Sequence, residues 1–353
     1  MDSRINKALL KLKQEGLDAL IVSKPANISY LTHSISRDSL LLLSTKQSIY
    51  FTDFRYFAET KIKLSKYFKV VKITASALTE IAGSCSKAGL KTVGFEENSL
   101  TFKQTRILKE TIKDKIGLIP VSGLIESLRE TKDKEELSKI RIATDITVKA
   151  LQFAGSFIRP GMKEIEVAAE LESFIRYNGA RTSAFEIIVA SGPNSSFAHH
   201  LTSQRVIKNN EHVLIDIGTD YMGYKSDLTR VFFLGKISVL ARRVYSIVKR
   251  AQAKAISRIK PQAKLGEIDK ASRDVIAKAG FADNFGHSLG HGVGLEIHEL
   301  PEVFSNNKKL IKTGMVFSVE PAIYLPGKFG IRLEDTIVVN NKGVEVISGS
   351  LNK

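Results

Sequence analysis

Sixteen residues limit what this chain can become more than any other stretch: Asn284-Phe-Gly-His287-Ser-Leu-Gly-His291-Gly-Val-Gly-Leu-Glu-Ile-His298-Glu299. Three of the seven histidines fall here, with Gly286, Gly290, Gly292 and Gly294 threaded between them. Glycine costs about 1 kcal/mol per residue inside a helix, so this density excludes one. The stretch predicts a tight loop running into a short strand, its glycines letting the backbone approach something closely. The clustered histidines mark a site, and their partners must come from elsewhere in the chain.

The 353 residues are long for one domain and suggest two. Ile5, Ala8, Leu9 and Leu12 recur at helical spacing and Gly16 ends that helix. Residues 18–22 read as a buried strand and Ser23-Lys-Pro25-Ala-Asn27 as a turn. Strands at 40–44 and 48–52, a helix at 54–64, a strand at 70–73, a helix at 78–88, a strand at 93–95 and a helix at 101–112 follow. This alternation predicts an α/β module with a mixed or parallel sheet. No ligand-like cluster stands out in it, and His33 is alone. The mixed-charge run Glu126 to Glu136 reads as the start of a long surface helix, so domains are expected at 1–127 and 128–353. Further helices are expected at 164–178, 244–259 and 265–279.

The net charge of +16 raises the question of nucleic acid. Residues 1–127 hold 20 Lys and Arg against 12 Asp and Glu, and the remainder 33 against 25, so the excess is shared evenly. There is no basic arm, Cys/His finger or aromatic-basic RNA signature, and no nucleic-acid partner is expected. The single cysteine, Cys85, excludes a disulfide framework and a thiolate metal site. No signal peptide or membrane span is visible, and a cytoplasmic location is expected.

Two carboxylate pairs carry the chemistry. In His212-Val-Leu-Ile-Asp216-Ile-Gly218 and Tyr224-Lys-Ser-Asp227-Leu-Thr-Arg230, two strand-like runs flank Thr219-Asp-Tyr-Met-Gly223. A hairpin centred on that turn sets Asp216 opposite Asp227. A second hairpin centred on Gly327 sets Glu320 opposite Glu334, with a register that Pro321 makes approximate. Like charges across a strand pair destabilise it, and burying unpaired carboxylates is costly unless something positive lies between them. Four carboxylates and one imidazole suit two divalent ions roughly 3.5–4 Å apart. Such oxygen-rich ligation favours Mn²⁺ or Co²⁺, with Zn²⁺ and Fe²⁺ as alternatives. His287-Ser-Leu-Gly-His291 is not a zincin motif, because no glutamate follows the first histidine.

Five blocks in order, 213–218, 226–230, 287–299, 318–324 and 331–336, resemble the pita-bread metallopeptidases, and most of all their proline-specific branch of aminopeptidase P and prolidase. Asn27-Ile-Ser-Tyr-Leu-Thr32 and Tyr50-Phe-Thr-Asp53-Phe-Arg-Tyr56 are similar to the creatinase/prolidase N-terminal domain. The implied fold is α/β (α+β): that N-terminal domain followed by a pita-bread catalytic domain.

The resemblance implies two divalent ions, Mn²⁺ first, with Co²⁺ or Zn²⁺ as alternatives. Asp216 would chelate one, His291 and Glu320 the other, and Asp227 and Glu334 would bridge. A shared hydroxide would attack the scissile carbonyl, with Glu320 taking the water's proton. His199, preferred to His200 for its spacing from Asp216, would assist the leaving nitrogen or stabilise the oxyanion. His298 would hold the tetrahedral intermediate or the substrate carbonyl, and His287 and Tyr324 would line the proline site. Arg332 would neutralise and orient the carboxylates.

Peptides with proline at the second position are the expected substrates, and a homodimer the expected assembly. Prolidases of this size resemble one another in an arginine after His-x-x-Pro that grips the prolyl carboxylate. Here Glu302 follows Pro301, which favours an Xaa-Pro aminopeptidase over an Xaa-Pro dipeptidase. A non-catalytic pita-bread binding protein and a creatinase-like hydrolase are disfavoured because all five ligand positions are filled. Methionine aminopeptidase is disfavoured by the extra N-terminal domain.

Overall fold

A computed structural model describes residues 3–112 and 115–349. The chain divides into two compact units, Met1–Arg129 and Glu130–Lys353. In the first unit the fully buried strand Ala19–Val22 lies at the centre of a six-stranded mixed sheet. It pairs antiparallel with Ser39–Ser44 and parallel with Thr92–Glu96. Ile49–Thr52 and Lys69–Lys72 extend one side and Gly117–Val121 closes the other. The sequence signal misses that last strand because Gly117 and Pro120 dilute it, and an edge position is where proline is tolerated. One expected turn is instead a helix: Pro25 opens Pro25–Thr32 at its first position, where the missing N–H would have had no partner.

The second unit begins with helix Lys134–Phe157, started by a reciprocal cap in which Asp133 accepts from the Glu136 N–H and Glu136 accepts from the Asp133 N–H. The charged run before it is not the solvated surface expected. Glu130, Lys132 and Glu136 are buried. Glu130 pairs with Lys309 at 2.6 Å and Lys132 with Glu299 at 2.8 Å, partners that lie far along the chain.

Two helix pairs each cover a sheet. Lys134–Phe157 and Glu164–Tyr177 pack Leu151, Val167 and Leu171 onto Val213, Ile215 and Ile217. Val239–Ile256 and Leu265–Lys278 pack Val248, Ile268 and Ile276 onto Phe317, Val319 and Ile337. Truncating any one of these buried Leu or Ile side chains to alanine would cost about 2–5 kcal/mol. The first sheet joins Ile188–Ser191, Glu211–Ile217 and Leu228–Leu234. The second joins Glu299–Val303, Gly290–Gly292, Val316–Val319, Asp335–Asn340 and Gly343–Val346. A buried ion pair between Arg230 and Asp335 (2.8 Å) and a bond from the Thr336 hydroxyl to the Asp227 carbonyl lock the two sheets together. No helix among the described residues is long and apolar enough to cross a membrane.

Candidate metal centre

The first hairpin turns through Met222 and Gly223, both at positive φ (51° and 90°), a two-residue turn matched to strand twist. This corrects the expected register. Asp216 lies opposite Thr229, not Asp227. Methionine is a poor advertisement for such a turn, which is why sequence spacing misplaces the axis. The slip is two residues, so it leaves both carboxylates on one face. Asp227 sits in a gap, after strand Tyr224–Lys225 ends and before Leu228–Leu234 begins.

The second hairpin has the expected register. Strands Ala322–Leu325 and Phe329–Arg332 pair Ala322 with Arg332, and Val316–Val319 and Asp335–Asn340 continue in step with Val319 opposite Asp335. Glu320 and Glu334 face each other in the break between these ladders. Pro321 helps make the break, since it cannot donate to a ladder. The freed backbone reaches other segments: the Glu320 N–H donates to the Leu289 carbonyl and the Glu334 N–H to that of Thr229. The break thus joins the second hairpin to the glycine-rich loop and to the first hairpin. Two of that loop's glycines permit this approach: a Cβ at Gly290 would strike the Ser318 carbonyl, and one at Gly292 the Leu300 carbonyl.

The result is a knot of negative charge. Asp216, Asp227 and Glu334 are buried, and Asp216 Oδ1, Asp227 Oδ1 and Glu334 Oε1 have no hydrogen-bond partner. Burial, then the neighbouring carboxylates, pushes the Asp227 and Glu334 carboxyls well above their ordinary range. Burial also raises Glu320, but the His291 hydrogen bond and charge reverse this and leave it lowered. His291 mirrors it, lowered by burial and lifted above its ordinary value by Glu320. Its Nδ1 lies 3.2 Å from the Gly292 carbonyl, which can only accept, so Nδ1 carries the hydrogen. Its Nε2 lies 3.3 Å from Glu320 Oε1 and 3.5 Å from Asp227 Oδ2, so a proton held there serves the carboxylates in the metal-free protein, and its loss would expose a lone pair to an ion. One ligand atom from each of Asp227, His291 and Glu334 falls within 4.8 Å of the others. Orphaned carboxylate oxygens and an inward-facing imidazole nitrogen are what a divalent cation would satisfy.

One cation already serves this cluster from behind. Arg332, 3% exposed, donates to Asp216 Oδ2 (2.6 Å), the Thr229 hydroxyl (3.1 Å), the Tyr324 hydroxyl (2.7 Å) and the Ala198 carbonyl (3.1 Å). Thr229 passes its own hydrogen to Glu334 Oε2 at 2.8 Å, and Ser318 donates to Glu320 at 3.1 Å while accepting from the His291 N–H. Sequence reasoning missed both hydroxyls. Their only sequence signal is position, two residues past Asp227 and two before Glu320.

The remaining histidines surround the cluster. His298 is exposed and sets its ring 4.1 Å from that of His291, edge to face. Burial and then the His291 charge lower its pKa. Half-buried His287 is lowered by burial, and its Nε2 lies 3.3 Å from the Tyr324 hydroxyl. The loop carrying it is clamped by Asp269 and Arg273: Asp269 takes the Leu289 N–H, and Arg273 donates to the Phe285 and His287 carbonyls. His199 is exposed in a turn, one residue past the Ala198 carbonyl that Arg332 holds. His200 points away and bonds Glu164 at 2.9 Å. Glu302 is exposed and pairs opposite His291, which puts both side chains on one face.

Known proteins are similar to this chain over almost its whole length. Residues 4–131 match the creatinase/prolidase N-terminal domain and residues 138–341 metallopeptidase family M24. The Xaa-Pro dipeptidase of Pyrococcus furiosus is 33% identical over 350 residues, 98% of this chain and 97% of its own. The structure of an Xaa-Pro dipeptidase from Bacillus anthracis superposes with a TM-score of 0.95 at 36% identity, covering 99% of this chain and 98% of that one. An X-Pro aminopeptidase from Thermotoga maritima superposes at 0.88 with 32% identity, covering 96% and 97%. With its peptidase domain and its N-terminal domain both matched, this chain belongs to metallopeptidase family M24.

Proposed function

We propose that this metallopeptidase is an Xaa-Pro dipeptidase, hydrolysing the bond between an N-terminal residue and a C-terminal proline. The observation that carries the reading is the unsatisfied carboxylate cluster within a chain similar over its full length to Xaa-Pro dipeptidases. Asp216, Asp227, His291, Glu320 and Glu334 would hold two divalent ions, Mn²⁺ by preference and Co²⁺ or Zn²⁺ otherwise. Bound ions supply Lewis acidity and a water acidic enough to react at neutral pH.

The chain's own groups supply the rest. Glu320 accepts the proton of the attacking water. His199 donates to the departing prolyl nitrogen, and His298 holds the substrate carbonyl. His287 and Tyr324 flank the proline ring. Arg332 keeps Asp216 from turning its second oxygen away.

Glu302 supports a second reading, the Xaa-Pro aminopeptidase expected from sequence. A carboxylate on the His291 face repels the free carboxylate of a dipeptide and spares a longer peptide. Comparing kcat/KM for Xaa-Pro and Xaa-Pro-Yaa with added Mn²⁺ separates the two. Preference for the dipeptide is expected; equal or faster cleavage of the tripeptide transfers the assignment to the aminopeptidase. Cleavage of neither removes both.

A further inference from the structure

Glu164 opens helix Glu164–Tyr177, and its carboxylate is completely buried although it belongs to neither hairpin. Oε1 accepts from the Ser191 N–H (2.7 Å), the Ser191 hydroxyl (2.7 Å) and Asn194 Nδ2 (3.0 Å). Oε2 accepts from His200 Nε2 (2.9 Å), the Ser203 hydroxyl (2.6 Å), the Ser203 N–H (3.2 Å) and Asn194 Nδ2 (3.1 Å). Every donor comes from one stretch, residues 191–203. That stretch carries His199. Its other anchors hold backbone on either side: Ser195 bonds His212 and the Gly330 N–H, Arg332 holds the Ala198 carbonyl, and Thr202 holds Val189 and Ile187.

Arg332 bonds both the Ala198 carbonyl and Asp216, which sets the turn carrying His199 beside the carboxylate cluster, while the His200 imidazole is held on Glu164 and His199 stays exposed. We propose that Glu164 and His200 are positioning residues that aim His199 at the metal centre, Glu164 acting as a template for the whole 191–203 segment. This rests on the role given to His199 above. A carboxylate with this many donors costs little to keep ionised, and its place at a helix N-terminus adds to that.

The test is a double-mutant cycle read on kcat, KM, bound Mn²⁺ and Tm. Glu164→Gln and His200→Ala are each expected to lower kcat about tenfold, with KM and metal stoichiometry unchanged. In a His199→Ala background neither should add more than about twofold, because the group being aimed is gone. His200→Gln keeps an N–H for Glu164 and should recover most of the loss. Equal losses in both backgrounds, loss of metal, or undiminished kcat overturn the proposal. If Glu164→Gln does not fold, the His200 variants decide. If His199→Ala alone leaves kcat intact, the role of His199 is what fails. Amide exchange over residues 191–203 then settles positioning: faster exchange in His200→Ala supports it, and unchanged exchange overturns it.

Discussion

Two buried regions of the second unit are built from the same kind of side chain. Around Glu164, backbone N–H groups, hydroxyls, an amide and an imidazole converge on one carboxylate and hold its pKa below the ordinary value despite burial. Around Asp227 and Glu334, carboxylates converge on each other, oxygens are left without donors, and both carboxyls are pushed well up. The difference lies in the donors and not in the residue. A buried carboxylate that the fold supplies with hydrogen bonds contributes to stability, while one that the fold starves of them stores a demand for a cation.

The widest test of that contrast removes a carboxylate from each region. Asp227→Ala should abolish binding at both metal positions, seen by elemental analysis, and lower kcat by roughly 10⁴-fold or more. Two retained ions with near-normal turnover would falsify the assignment of Asp227 as a bridge. Glu164→Ala should leave its donors buried and unpaired and cost about 3 kcal/mol in urea unfolding of the metal-free protein. A cost below about 1 kcal/mol would erase the distinction.

Glu334→Gln sharpens it in the other direction. Relieving like charge in the metal-free protein should leave stability unchanged or raise it by about 1 kcal/mol, even as Mn²⁺ affinity collapses. A loss of more than about 1 kcal/mol would mean Glu334 is structural.

The smallest effect is in pH. Asp227 and Glu334 titrate above their unfolded values, so in metal-free protein they bind more protons folded than unfolded. Their contribution is full below about pH 4 and is lost as pH rises through the raised values. Glu164 titrates below its unfolded value, so its contribution is present above about pH 4 and is lost on acidification. Urea midpoints across pH for Asp227→Asn and Glu164→Gln should deviate from the wild type in opposite directions. Parallel deviations would contradict the electrostatics described.

Much of this could be read from the sequence, unevenly and for physical reasons. Helix and strand periodicity is local, so Phe54–Leu64 and Leu265–Lys278 are legible from spacing alone. The carboxylate pairs were legible because charge inside an apolar run is conspicuous. The first hairpin's register was not, because the conformation at Met222 depends on the strands it joins. Glu164, Asp269 and Lys132 were invisible. Each sits in a helix start or charged run that looks solvated, and only tertiary packing brings its partners: Ser203, Leu289 and Glu299. Pairs of distant residues leave no mark on local spacing.

Arg332 touches Asp216 from 116 positions downstream, and Thr229 touches Glu334 across 105. Such loop closures come late in folding, after local helices and hairpins have formed. A chain caught before the second hairpin docks has Asp216 and Asp227 in place, with no guanidinium behind them and no imidazole beside them. Ion capture by this protein therefore reports completion of the second unit, because Asp227, His291 and Glu334 come from separate segments that meet only when it is assembled.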